Sequence, residues 1–113
     1  MHGFGHTEIP TTDMQKSKDF YSKIFGWKMS EDMPGYVLFK TGDDQGGGFT
    51  QETKPTHDGV VLYIEVDDIT KKLAEIENAG GRTIKEKTVI SPEYGSYALF
   101  TDPCGNIMAL WSK

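Results

Sequence analysis

His6 and Glu8 stand two residues apart near the N-terminus. In an extended strand that spacing puts both side chains on one face. An imidazole titrates near neutrality, with an unperturbed pKa of about 6.5, and a neighbouring carboxylate can orient the ring or take a proton itself. The pair is the candidate catalytic element of the chain. No third partner is visible in the sequence, so a plainer reading stands beside it. In that reading His6 is a strand-end histidine with a satisfied hydrogen bond, and Glu8 pairs with a cation or faces water.

Other tempting groups have simpler explanations. Gly46-Gly47-Gly48 lacks the helix that must follow a phosphate-cradling glycine loop, so it reads as a hairpin connection or a close backbone approach. Cys104 lies in a turn beside Pro103 with no His or Lys close in sequence, and reads as a bystander. His57 belongs to the turn Pro55–Gly59, and His2 lies at the terminus. Asp68 is explained as a helix cap, and Asp43-Asp44 as turn residues.

The elements that must position His6 and Glu8 follow from caps and periodicity. Asp13 is a good N-cap for a helix from Met14 through Phe25, and Gly26 stops it. Asp68 caps a second helix from Ile69 to Ala79, ending at Gly80-Gly81. Strands are expected at 6–10, at 27–33 and 36–41 around a Pro34-Gly35 turn, and at 48–51 after a 42–47 loop. Further strands are expected at 60–66, 83–90, 97–101 and 107–111. A loop at 91–96 and a turn at Asp102–Asn106 separate the last three.

This order is β-α-β-β-β, twice. An offset of 55 (13 to 68) lays Asp13 on Asp68, Ile9 on Ile64, Lys16 on Lys71 and Gly26 on Gly81. An offset of 61 (36 to 97) lays Tyr36-Val37-Leu38-Phe39 on Tyr97-Ala98-Leu99-Phe100. The six extra residues are expected in the loop before Tyr97. Two such units can bury a common core. The expectation is one α+β domain over 1–113, built of two tandem βαβββ modules at about 1–56 and 57–113. They would form a curved mixed sheet with a concave cleft and helices on the outer face.

Strand parity sorts the side chains. Leu62, Ile64 and Val66, with Met108 and Leu110, should face the helices, as should Thr7 and Ile9. The opposite face then collects His6, Glu8, Val61, Tyr63, Ala109 and Trp111, with Phe49 added from the 48–51 strand. A Trp and a Tyr beside two ionisable groups make the composition of a small-molecule cleft, and equally that of a dimer interface.

Composition narrows the classes. The chain has 113 residues, 12 Lys plus Arg against 17 Asp plus Glu, a net charge of −5 and a pI near 5.1. That length fits one domain. Aromatics at 12% argue against disorder, although the apolar fraction of 36% is low. No apolar run reaches the roughly 18 residues of a membrane-spanning helix, and no secretory signal is visible at the N-terminus. A single cysteine points to a reducing cytoplasm. The acidic balance and scattered lysines argue against nucleic acid.

Three stretches carry a family resemblance: GHTEIPTTDMQKSKDFYSKIFGW at 5–27, VVLYIEVDDITKKLAEIENAGGRTI at 60–84 and DPCGNIMALW at 102–111. They resemble the glyoxalase/bleomycin-resistance/extradiol-dioxygenase superfamily, also called vicinal oxygen chelate proteins, over nearly the whole chain. The resemblance implies paired βαβββ modules forming a cleft, commonly completed by dimerisation. Metal-dependent members hold a divalent ion there; metal-free members use the cleft to sequester a drug or other ligand. The family's metal ligands lie on the first and last strands of each module. His6 occupies one such position, while Val61, Gly48 and Ala109 occupy the other three. Glu52 could replace Gly48 only if the register slips. One donor of four is too few for a divalent ion. No cofactor is therefore expected, and His6 would bind metal only in a degenerate site.

Three functions follow as expectations. The first is a metal-independent small-molecule-binding protein with an unknown ligand. The second is a glyoxalase-type lyase or isomerase acting through His6 and Glu8, with or without a divalent metal. The third is a dimeric interaction module without catalysis. The expected partners are a small-molecule ligand and a second copy of the chain, with no nucleic acid and no membrane.

Overall fold

The computed structural model describes residues 2–113, with the backbone alone at position 32. The chain divides into two compact units, Met1–Pro55 and Thr56–Lys113, here modules 1 and 2. Module 1 runs β1 (Thr7–Pro10), α1 (Met14–Phe25), β2 (Lys28–Met33), β3 (Tyr36–Lys40), β4 (Gly46–Thr50). Module 2 runs β5 (Tyr63–Glu65), α2 (Ile69–Asn78), β6 (Arg82–Ser91), β7 (Gly95–Thr101), β8 (Ile107–Ser112). The two strand orders match: β1-β4-β3-β2 and β5-β8-β7-β6. In each, the first strand is parallel to the last and the remaining pairs are antiparallel. The fold is α+β, with one mixed four-stranded sheet and one helix in each module.

Both helices begin as their caps require. The Asp13 carboxylate accepts from the Lys16 amide at 3.1 Å, and Asp68 accepts from Lys71 at 3.0 Å. Gly26 ends α1 in the left-handed region, at φ 68°. In module 1 the helix side of the sheet is an aromatic cluster. Tyr21 of α1 lies 4.9 Å from the Trp27 ring and 5.3 Å from Phe49, and Phe39 contacts both Trp27 and Phe49. In module 2, Ile69, Leu73 and Ile76 of α2 are buried, as are Ala98, Phe100, Met108 and Leu110 of the sheet.

Three sequence expectations change. The six extra residues of module 2 lengthen a hairpin instead of a loop: β6 reaches Ser91 and β7 begins at Gly95. Register shifts along β6 absorb the added length as bulges. The 60–66 strand shrinks to Tyr63–Glu65, and Val60 is 89% exposed. Among the described residues its sheet neighbour is β8, whose amides at Ile107 and Ala109 donate to the Thr56 and Leu62 carbonyls, so the segment between them bows out of the ladder. At the glycine run, β4 already begins at Gly46.

Candidate functional site

Glu8 of β1 sits beside Gly48 of β4, which in turn sits beside Leu38 of β3. Ile9, Phe49 and Val37 alternate onto the α1 side, so Glu8 and Gly48 face away from the helix. Tyr36, the first residue of β3, crosses this second face. Its hydroxyl donates to Glu8 Oε2 at 3.0 Å and lies 2.7 Å from His6 Nε2. A phenol has one proton. With that proton on the bond to Glu8, the Tyr36 oxygen accepts from His6, which places a hydrogen on Nε2. The His6 and Tyr36 rings are nearly parallel, 19° apart with centroids 6.2 Å apart. Gly48 makes the crossing possible, because a Cβ there would overlap Cζ, Cε2 and Oη of Tyr36.

Burial, then the hydrogen bond to Glu8 and its negative charge, push the Tyr36 pKa up from 10.0 to about 12. Tyr36 is therefore a neutral donor at any ordinary pH. A raised folded pKa favours the protonated native state. Its contribution to stability is whole below about pH 10 and is lost as pH rises through about 12. Tyr36→Phe keeps the ring over Gly48 but should lack this alkaline component. Ultraviolet titration of tyrosinate should show one fewer late-ionising group in the variant. Identical alkaline profiles would contradict the bond to Glu8.

Module 2 presents a different chemistry at the matching positions. Tyr63 and Tyr97, which the two offsets lay on Glu8 and Tyr36, have ring centroids 6.4 Å apart. The Lys85 ammonium stands 5.2 Å from the centre of the Tyr97 ring. Trp111 pairs with Tyr97 across the β7–β8 ladder, and its indole N–H donates to the Tyr94 carbonyl at 2.7 Å. Tyr63 is 57% exposed, and Tyr97 and Trp111 are half-buried. This is the sheet face away from α2, since Ala98, Leu110 and Met108 alternate onto the helix side.

The predicted site residues are thus divided. His6 and Glu8 meet in module 1; Tyr63 and Trp111 share a face in module 2. Ala109, beside Tyr63 on that face, is fully buried and forms its floor. Val61 is half-buried and precedes β5 instead of lying in it. Phe49 is corrected outright: it has no exposed surface and packs on Tyr21 and Phe39 in the helix-side core. In a strand a one-residue difference in register exchanges the faces, and Phe49 stands one residue from the Gly48 face. Tyr36 and Tyr97 were absent from the sequence-based site. The one signal for them was that they coincide in the repeat.

A divalent ion of the kind the resemblance implies needs at least three converging donors. Among the described residues no group of three or more His, Cys, Asp or Glu could hold one. His6 and Glu8 supply two, and both already bond to Tyr36. Among the described residues, this site thus offers two such donors where a resident ion of that kind needs three. A groove of about 590 Å³ between α2 and β6, lined in part by Thr70, Leu73, Glu77, Glu86 and Lys87, contains none of the predicted site residues.

The family model for the Glyoxalase/Bleomycin resistance protein/Dioxygenase superfamily matches residues 3–110. The chain belongs to this superfamily. A glyoxylase-like domain-containing protein from Didymella fabae is 28% identical, with 100% of this chain and 96% of that protein aligned. Among solved superfamily structures, a glyoxalase/bleomycin resistance protein/dioxygenase family enzyme from Burkholderia phytofirmans PsJN is similar with a TM-score of 0.80 at 21% identity, covering 96% of each chain. TnmS3, an antibiotic-binding protein from a Streptomyces species, is similar with a TM-score of 0.72 at 23% identity, covering 99% of this chain and 96% of its own. At those identities the two structures share the superfamily fold with this chain. Among the described residues, no helix is long and apolar enough to cross a membrane.

Proposed function

We propose that this superfamily member binds planar aromatic small molecules without a metal. The observation that carries the reading is the half-exposed face of Tyr63, Tyr97 and Trp111, with Lys85 at its edge. Exposed aromatic rings on a rigid sheet offer large apolar area for stacking at low entropic cost. Lys85 adds a cation that favours an anionic substituent on the ligand. The antibiotic-binding relative supports ligand capture as a use of this fold. Metal independence is supported by the engagement of both His6 and Glu8 with Tyr36.

A panel of aryl carboxylates, aryl amines and neutral heteroaromatics, screened by thermal shift in chelator, tests the reading. A ligand at about 100 times its Kd should stabilise the protein by about 2.7 kcal/mol, a rise of roughly 10 °C for a domain this size. Aryl carboxylates should lead the panel, and Lys85→Ala should remove that preference. A panel in which no compound raises the midpoint would sink the reading.

A second reading, an acid–base lyase or isomerase, is favoured by the continuous His6–Tyr36–Glu8 chain of hydrogen bonds. Turnover of a methylglyoxal–glutathione adduct that disappears in Glu8→Gln would establish it. We also propose that the protein is a cytoplasmic homodimer, which light scattering at micromolar concentration would test by its mass.

A further inference from the structure

We propose that Tyr36 and Gly48 act as one device that takes the place of a divalent ion in module 1. The phenol ties His6 to Glu8, and the glycine leaves the space that the ring needs. This rests on the metal-independent reading above and gives it a physical basis. The geometry is one of exclusion. Glu8 and Gly48 are direct neighbours on parallel strands, and His6 lies two residues before Glu8. Side chains at 6, 8 and 48 would converge on one face of the sheet. A donor at 48 would complete a set of three, the number a metal site needs.

That donor and the Tyr36 ring cannot coexist. Even a Cβ at 48 would overlap two atoms of the ring and the hydroxyl oxygen. The overlap is with a side chain held at its tip by two hydrogen bonds, not with a free end. The hydroxyl engages both groups that an ion would need: it accepts from Nε2 of His6 and donates to Oε2 of Glu8, joining them through a single shared atom. In module 2 the corresponding residue, Ala109, carries the Cβ that Gly48 lacks, and there Tyr97 meets Tyr63 and Lys85.

Two measurements test the device. The first is a thermal double-mutant cycle. Gly48→Ala should lower the melting midpoint by roughly 5 °C or more in the presence of Tyr36, through overpacking. In a Tyr36→Ala background the same substitution should cost less than about half of that. Additive effects would overturn the proposal. The second is titration with Co(II), read by its visible absorption. The double variant Gly48→Glu with Tyr36→Ala should gain a band that the wild type lacks at the same concentrations. A double variant that melts cooperatively and still shows no band overturns the proposal, as does a wild type that binds Co(II) through His6. If the double variant does not fold, the alanine cycle decides alone. A failed ligand panel beside an intact cycle would remove the aromatic-ligand reading and leave this one standing.

Discussion

Replacing Tyr21 by alanine should destabilise the protein by about 3–5 kcal/mol, the range for removing a large buried aromatic side chain. Tyr21 has no exposed surface and stands at the centre of the module 1 cluster. Its ring meets Phe20 edge-on at 5.1 Å and also contacts Phe25, Trp27 and Phe49. Truncation removes partners from four rings at once and leaves a cavity that a β-sheet cannot collapse to fill. Against a total stability of about 5–15 kcal/mol, that loss is a large share. Urea denaturation should show a lower midpoint, whereas Tyr21→Phe, which keeps the ring, should shift it far less. A loss below about 1 kcal/mol in the alanine variant would mean that the cluster does not hold α1 to its sheet. This matters to the site because the same strands carry Phe49 on one face and Gly48, under Tyr36, on the other.

The second large effect is at Asp102. This carboxylate is only 3% exposed, in the turn between β7 and β8. Its Oδ1 accepts from the amides of Cys104 and Asn106, each at 3.0 Å, and Oδ2 accepts from the Asn106 side chain at 2.8 Å. The Asp102 and Asn106 main chains are joined as well, amide to carbonyl at 3.0 Å. These three N–H donors help compensate the buried carboxylate. Asp102→Ala takes this acceptor from those donors, the two of Asn106 buried and that of Cys104 part-buried, at about 1–3 kcal/mol for each buried group left unsatisfied. We expect a total near 3 kcal/mol after relaxation and water entry, with Asp102→Asn intermediate because an amide offers only one acceptor oxygen. Thermal melts of the three proteins should rank wild type, Asn, Ala. A variant with alanine as stable as wild type would contradict the turn's role. Because the turn sets where β8 begins, it also sets the register of Trp111 against Tyr97.

The sequence was most legible where chemistry is local. Asp13 and Gly26 bound α1 because a cap and a left-handed stop act within one turn of the helix. The same holds for Asp68. The module repeat was legible because duplicated caps and the Tyr-x-Leu-Phe match share a register. Less could be read where a partner lies far along the chain. The length of β5 depends on where β8 starts, more than 40 residues later, and apolar composition at 60–66 carries no information about that. The extra residues before Tyr97 extend a hairpin because β6 and β7 can pair with each other through bulges.

The site shows the same division. His6 and Glu8 were found because strand parity puts them together. Tyr36 was missed because it reaches them across 28 and 30 residues, through space that exists only where Gly48 has no side chain. In the sequence Gly48 is an absent donor; in the structure it is also the gap into which a phenol fits. Phe49 lies on the helix side, opposite to the expected face, by a single residue of register. In module 2 the aromatic residues were visible as types, but the cation over Tyr97 depends on the bulged course of β6.

The proposed ligand site is an aromatic face that works without a metal. Calorimetric titration of the best aryl ligand is the most direct measurement, done once in chelator and once with added Mn(II), on the wild type and on Tyr63→Ala. Tyr63 is half-exposed, so its removal should change stability by no more than about 0.5 kcal/mol. One affinity is expected for the wild type under both conditions, and a loss of about tenfold or more in Tyr63→Ala, equivalent to about 1.4 kcal/mol. Binding that appears only with metal, or that is unchanged in Tyr63→Ala, would contradict it.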